Sequence, residues 1–303
     1  MKRLLPALLF LGLMVSASSG AQARINIFAC EPEWAALAHE IGGASVEIFT
    51  AVGPHQDPHY VRAKPSLIAA MRKADLVVCT GASLEIGWLP ILLQKAGSSN
   101  VQPGGVGYLL AAEYAPILEK PERLDRAEGD IHPEGNPHVH LNPHNIVLVA
   151  KELTTRLQAV DPSHAHDYEA NSAAFAQKWS EAITRWEADS ARLKGMRVVA
   201  HHKSFSYLLD WLDITEAELL EAKPGIPPTT GHLEKLLKTL KHSPARLIVR
   251  TPYDPADASK WLSQKTGAPA ILLPFTVGGD EQSGDLFRLF DRTLMLLMGA
   301  HGA

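Results

Sequence analysis

The stretch from His166 to Lys194 contains neither proline nor glycine. It keeps Phe175, Trp179, Ala182, Trp186 and Leu193 three, four or seven residues apart, one apolar stripe along a helix. Gly195 follows and ends it. At 1.5 Å per residue such a helix is roughly 43 Å long, the span of a whole domain rather than of a crossover. On either side the chain alternates short apolar β-rich runs with helical patterns. Before it come "RINIFAC", "EPEWAALAHEIGG", "SVEIFTAV", "PSLIAAMRKA" and "ADLVVCTG"; after it come "MRVVAHH", "FSYLLDWL", "ARLIVRT", "ADASKWLSQKTG", "APAILLPF" and "DLFRLFDRTLMLLM". Alternation of this kind builds parallel sheets flanked by helices. The fold expected is α/β: two lobes, each with a parallel sheet, joined by one long rigid helix.

The first residues belong to neither lobe. Lys2 and Arg3, the apolar run Leu4 to Val15 and the small-residue site Ala21-Gln22-Ala23 read as a secretory signal peptide over 1–23. The apolar run is too short to span a bilayer, and no cysteine follows it to take a lipid. The expected organisation is an N-terminal lobe over 24–146, a linking segment with the strut over 147–194 and a C-terminal lobe over 195–303. A formal charge of −4 favours neither nucleic acid nor an anionic membrane as partner. An exported, soluble product in a periplasm is the simplest reading. Cys30 and Cys79 each stand near the end of a strand-like run, so an exported chain can bond them. Two buried free thiols are the equal alternative, because spacing does not supply a Cα separation.

Chemistry concentrates in three histidine groups: "PHQDPHYVRAKPS" from Pro54, "GNPHVHLNPH" from Gly135 and "AHHKSFSYLLDWL" from Ala200. In open parallel sheets ligands bind beyond the carboxyl ends of the strands. His59 leaves one such strand and His202 another, while His138 lies in the irregular segment before the strut. Donors from both halves require a site in a cleft between them. Neutral imidazoles with one carboxylate suit tetrahedral Zn²⁺. Proline before His59 and His138 restricts the backbone and lowers the entropy lost on binding. His201, one residue from His202, points to the opposite side of its strand. His140 shares a face with His138 and is placed as an outer partner or an additional ligand. His39, His164, His166, His242 and His301 read as solvated side chains; His55 faces water or helps to orient His59, and His132 and His144 face water or collect metal weakly as accessory groups.

"DPHYVRAKPS", "NPHVHLNPHN" and "HKSFSYLLDWL" resemble the three histidine motifs of zinc- and manganese-specific solute-binding proteins of bacterial ABC transporters, in order and over essentially the whole mature chain. The resemblance implies two α/β lobes bridged by a long helix. It assigns the metal to His59, His138 and His202 and the function to capture of a metal ion outside the cytoplasmic membrane and delivery to an inner-membrane permease. The chain departs from the pattern in two places. His140 stands where relatives carry a bulky residue such as tryptophan. Pro274 stands where they carry an acidic fourth ligand after the last strand. The fourth position therefore stays open between Asp280, Glu281, a water molecule and His140, with Asp280 first because Gly278 and Gly279 give its loop freedom. Asp285 opens the closing helix and reads as its cap.

Three histidines favour zinc over the harder Mn²⁺. The rival is a secreted zinc-dependent hydrolase, since "HVHLNPH" bears a superficial likeness to a His-x-His-x-Asp-His enzyme motif. Asn142 occupies the aspartate position of that motif, and no carboxylate stands clearly as a base for a bound water. A metal-free binding protein or adhesin is the third reading. The expectation is a non-enzymatic, monomeric zinc carrier.

Overall fold

The computed structural model describes residues 24–123, 129 and 131–301. The expected leader, residues 1–23, lies outside the described residues. In the first lobe, β1 (Ile25–Ala29) leads to α1 (Pro32–Gly42), β2 (Val46–Thr50), α2 (Pro65–Lys73), β3 (Leu76–Cys79), α3 (Leu89–Ala96) and β4 (Tyr108–Leu110). The strands pair in parallel in the order β2-β1-β3-β4. Helix α4 (Pro143–Val160) then runs into α5 (Ala165–Ser190), extended at both ends by single turns, Pro162–His164 and Ala191–Leu193. The second lobe holds β5 (Arg197–Ala200), α6 (Ser206–Trp211), β6 (Thr215–Leu219), α7 (Thr230–His242), β7 (Leu247–Arg250), α8 (Ala256–Thr266), β8 (Ala270–Leu272) and α9 (Leu286–His301). Its sheet is also parallel, in the order β6-β5-β7-β8. The two sheets share one topology, as the matching alternation on both sides of the strut requires.

Proline opens α1, α2, α3 and α4 at the first turn, where a missing N–H costs nothing. Asn142 caps α4 by accepting the His144 N–H. Helix α5 is the expected strut. Its apolar stripe buries Tyr168, Phe175, Trp179, Ala182, Ile183 and Trp186. Trp179 stacks on Phe175 and meets Phe287 and Phe290 of α9 edge-on, and Trp186 stacks on Phe290. One cluster of buried residues runs from Ile27 and Leu76 in the first sheet, through the strut, to Val198 and Leu247 in the second. The lobes are thus fused through a shared core, and the strut is its middle layer.

The cysteine alternative resolves as a disulfide. Cys30 and Cys79 are bonded across neighbouring strands with Cα atoms 4.8 Å apart. A second tie crosses between the lobes. Glu33, on α1, bonds the Thr276 hydroxyl through one carboxylate oxygen and faces His140 Nδ1 at 3.2 Å with the other. His140 Nε2 donates to the Phe275 carbonyl at 2.9 Å. All of these side chains are buried.

Candidate metal centre

The carboxyl ends of both sheets meet at one cleft, and three histidines enter it. His59 sits in a helical turn, Pro58–Tyr60, after β2; His202 follows β5; His138 precedes the turn Val139–Leu141 that leads into α4. Their nitrogen donors all lie within 4.8 Å of one another. The ring centroids are 5.8 Å (59 to 138), 6.1 Å (59 to 202) and 6.0 Å (138 to 202) apart. Tetrahedral zinc, with Zn–N of about 2.0–2.1 Å, needs donors about 3.3–3.4 Å apart, so the rings must close in only slightly.

Each ring is held from behind by an oxygen on Nδ1. Asp57 Oδ1 lies 2.7 Å from His59 Nδ1 and accepts the His59 backbone N–H at 2.9 Å. Asn136 Oδ1 repeats both contacts on His138, each at 2.9 Å. Glu221 Oε2 lies 2.9 Å from His202 Nδ1. An acceptor at Nδ1 fixes the tautomer that carries its proton there, which leaves Nε2 as a lone-pair donor facing the cleft. Asn136 is itself anchored: its amide donates to Glu119, to the Lys203 carbonyl and to Ser206 Oγ.

The electrostatics agree. Burial, then the neighbouring imidazoles, holds the His138 pKa well below the usual histidine range, so the ring stays neutral. Its Nε2 is buried without a hydrogen-bond partner. A buried orphan nitrogen is costly unless something electrophilic completes it. At His202 burial opposes the charge, yet the Glu221 carboxylate outweighs it and raises the pKa. At Asp57 burial likewise opposes the charge, and the His59 hydrogen bond prevails and lowers it. The donor set is nitrogen-rich, with carboxylates behind it, and it fits a borderline divalent cation such as Zn²⁺.

The structure does not bring Asp280 into this group. Arg292 of α9 donates to Asp280 Oδ2 at 2.6 Å, while Oδ1 accepts the Gln282 N–H of its own turn. The arginine supplies the charge partner that the sequence reading sought in a metal. Phe275, which follows Pro274, lies edge-on to both His138 and His140, at 5.3 and 4.9 Å. His140 adjoins the site through that ring and serves the tie to Glu33. His144 is exposed and pairs with Glu187. His132 is not a solvated bystander: it is half-buried, with Nε2 3.1 Å from His59 Nε2. Among the described residues the other grouping of this kind is Cys30, Cys79 and Glu85, whose sulfurs are already joined to each other.

Two cavities are bordered by histidines of the site. One, about 490 Å³, is bordered by Glu119, His132, Asn136, His138, His202 and Lys203. The other, about 190 Å³, is bordered by Asp57, His59, His202, Glu221, Tyr253 and Asp254. The ion has a route from solvent.

Two fused α/β lobes with converging imidazoles in the cleft define a metal-binding protein of the two-lobed solute-binding class. Comparison with known proteins gives the family. The family described as zinc-uptake complex component A, periplasmic, matches residues 27–298, and the chain belongs to it. Its curated relatives are substrate-binding lipoproteins of metal ABC transporters. The chain is 24% identical to the manganese ABC transporter substrate-binding lipoprotein PsaA of Streptococcus pneumoniae over 282 residues, 90% of this chain and 87% of the relative. It is 22% identical to the zinc-binding lipoprotein AdcA of Streptococcus pneumoniae, over 77% of this chain and 46% of that protein. A crystal structure of ZnuA superposes with a TM-score of 0.76 at 21% identity, covering 92% of this chain and 99% of the other. A manganese-bound periplasmic metal-binding protein from Candidatus Liberibacter asiaticus superposes with a TM-score of 0.73 at 16% identity, covering 91% and 100%. Those two likenesses show the shared fold.

Proposed function

We propose that this protein captures one Zn²⁺ ion in the periplasm through His59, His138 and His202 and delivers it to the inner-membrane permease of an ABC importer. The observation that carries the reading is the orphaned Nε2 of His138, buried at the meeting point of two more imidazoles whose Nδ1 atoms are all engaged. Family membership sets the class of activity, capture of a metal for transport. The donor chemistry sets the ion, because a nitrogen-dominated site is poorly matched to Mn²⁺, which prefers oxygen ligands. Among the described residues no helix is long and apolar enough to cross a membrane, which suits a carrier that acts beside its permease. We read it as a monomer, each chain holding a complete site.

The chain's own groups divide the work. Asp57, Asn136 and Glu221 orient the rings and hold the Nδ1 protons. The two carboxylates behind His59 and His202 lower the potential at the cleft, which favours a cation there. The hydrolase alternative gains no support: the family is one of solute binding, and both carboxylates at the rings are taken up with Nδ1 atoms. Release requires the rings of the two lobes to part, a motion a docked permease would drive.

Competition titration against a chromogenic chelator, with metal analysis of the dialysed protein, tests the reading. One tightly held zinc per chain, weaker manganese binding and loss of the zinc in His138→Ala are the results expected. No retained zinc, or manganese held more tightly than zinc, would overturn it.

A further inference from the structure

We propose that His132 supplies the fourth ligand to the captured ion, through Nε2, in the position where the sequence pattern expects a carboxylate. The inference rests on the reading of His59, His138 and His202 as the other three. It begins from a contact that neutral imidazoles make only with a proton between them: His59 Nε2 and His132 Nε2 are 3.1 Å apart. His59 already has Asp57 on its Nδ1, so its Nε2 presents a lone pair. A hydrogen donated from His132 fills the gap in the empty site. When zinc enters, it takes the place of that hydrogen, and the ring exchanges tautomer through solvent, losing the Nε2 proton and gaining one on Nδ1. The separation is close to the edge of a zinc–nitrogen tetrahedron, about 3.3–3.4 Å. The His132 ring centroid is 5.1 Å from His59 and 6.4 Å from His138, and its donor lies outside the group within 4.8 Å, so His132 turns inward to share one ion with the other three.

The backbone places His132 there by design of its turn. The His132 carbonyl accepts the Gly135 N–H, closing a four-residue turn with Pro133 at its second position. Gly135 sits at φ +114°, and a Cβ there would meet Ile117 Cγ2 at 2.2 Å and the Leu118 carbonyl at 2.7 Å, so only glycine lets the turn pack down. Asn136 then ties the end of the turn to Leu118 through its N–H and to Tyr207 through its carbonyl, while its side chain holds His138. The same few residues therefore position two of the four donors.

No other side chain competes for the position. Asp280 is held by Arg292, His140 by Glu33 and the Phe275 carbonyl, and Phe275, next to the Pro274 that stands where the pattern expects an acid, packs its ring against His138. Four neutral imidazoles leave the ion its full charge, which Asp57 and Glu221 offset from behind. Such a set selects zinc, and cobalt as its spectroscopic stand-in, over manganese and magnesium.

The test uses the full mature chain loaded with Co²⁺, whose visible bands are intense in four-coordinate tetrahedral sites and weaken when coordination expands. His132→Ala and His132→Gln are expected to keep one metal per chain, to weaken the cobalt bands and to lose zinc affinity by about 100-fold or more, beyond the effect typical of an outer partner. Added imidazole should restore the bands in His132→Gly, which a merely structural role would not allow. Asp280→Asn should change neither spectrum nor affinity. The proposal is overturned if the His132 variants bind zinc as tightly as the parent with unchanged cobalt bands. In that event His59, His138 and His202 keep their assignment. Failure of the parent chain itself to hold zinc would instead sink the function proposed above, and this inference with it.

Discussion

At the residue scale, the unit of the site is an oxygen two positions before a histidine, with proline between. Asp57-Pro58-His59 and Asn136-Pro137-His138 make the same pair of contacts, one side-chain oxygen serving both the backbone N–H and Nδ1 of the histidine. Proline fixes the backbone so that both contacts form together. A third copy, Asn142-Pro143-His144, keeps the backbone contact, but its ring turns away to Glu187, and the motif only caps α4. His59 and His138 were legible in the sequence through this repetition, and His202 through its place at the exit of a strand-like run; the positions of Asn136 and Glu221 behind them were not. Asn136 could have been found from the motif. Glu221 could not, because it lies just beyond β6, 19 residues from His202. His132 was hidden for a similar reason, since a lone histidine in an irregular segment carries no pattern. Replacing Glu221 with glutamine leaves an acceptor of the same shape but removes the charge, and zinc affinity measured by chelator competition should fall about 10–100-fold with the fold intact. A second buried set is Glu31 and Glu85, outside the group formed by His59, His138 and His202. Burial, followed at Glu31 by the nearby carboxylates Glu85 and Glu33, pushes Glu31 well above the usual range, and burial pushes Glu85 up to about 7. A raised pKa means the folded chain holds the proton more tightly than the unfolded one. Stability from Glu85 is therefore full below its ordinary value of about 4.5 and is lost as pH rises through about 7. Chemical denaturation at pH 5 and pH 8 should show a loss of order 1–3 kcal/mol from this source, and a shallower loss in Glu85→Gln, whose amide can donate to Glu31 without a shared proton. Equal pH dependence in both chains would count against it.

At the element scale, what could be read followed periodicity. The strut, β1, β2, β3, β5, β7 and β8 announce themselves by apolar runs or stripes, and each stands where expected. Other elements did not. β4 has only three residues, too few to stand out, and β6, "TEAEL", is an edge strand with charged side chains and offers no apolar run. Helix α4 begins at Pro143, inside a stretch dominated by proline and histidine, because Asn142 caps it and Pro143 suits its first turn. The partner of Asp280, Arg292, lies one helix later, and sequence does not show that α9 folds back over the loop. The disulfide is the element-scale device that fixes the first sheet. It joins β3 to the end of β1 across a separation of 49 residues, and closing a loop of that size restricts the unfolded chain. Thermal or denaturant unfolding of a Cys30→Ser, Cys79→Ser chain should show a loss of about 2–4 kcal/mol, with metal stoichiometry unchanged, since the bond lies outside the group of metal donors. A loss of zinc binding at full stability would contradict that separation of roles.

At the scale of the whole molecule, the shared core decides how the carrier works. In a protein hinged by flexible crossovers, binding can swing the lobes through large angles. Here Trp179 and Trp186 of the strut are buried against α9, α1 packs along the same helix, and Glu33 and His140 reach from the first lobe to Phe275 and Thr276 of the second. Capture should therefore move side chains and short turns more than lobes. Small-angle scattering with and without zinc should show a radius of gyration that changes by less than about 1 Å; a change of several ångströms would indicate an opening that the packing forbids. The two-lobed plan was legible because the same β-α alternation flanks an uninterrupted helix, whereas the fusion of the cores depends on aromatic pairs that meet only in three dimensions. The central claim is that imidazoles from both lobes converge on one cation. Anomalous diffraction at the zinc absorption edge, from crystals of the zinc-loaded protein, tests it most directly. The account predicts one strong peak per chain, about 2.0–2.1 Å from the Nε2 atoms of His59, His138 and His202. A peak elsewhere, or one touching only a single lobe, would contradict it.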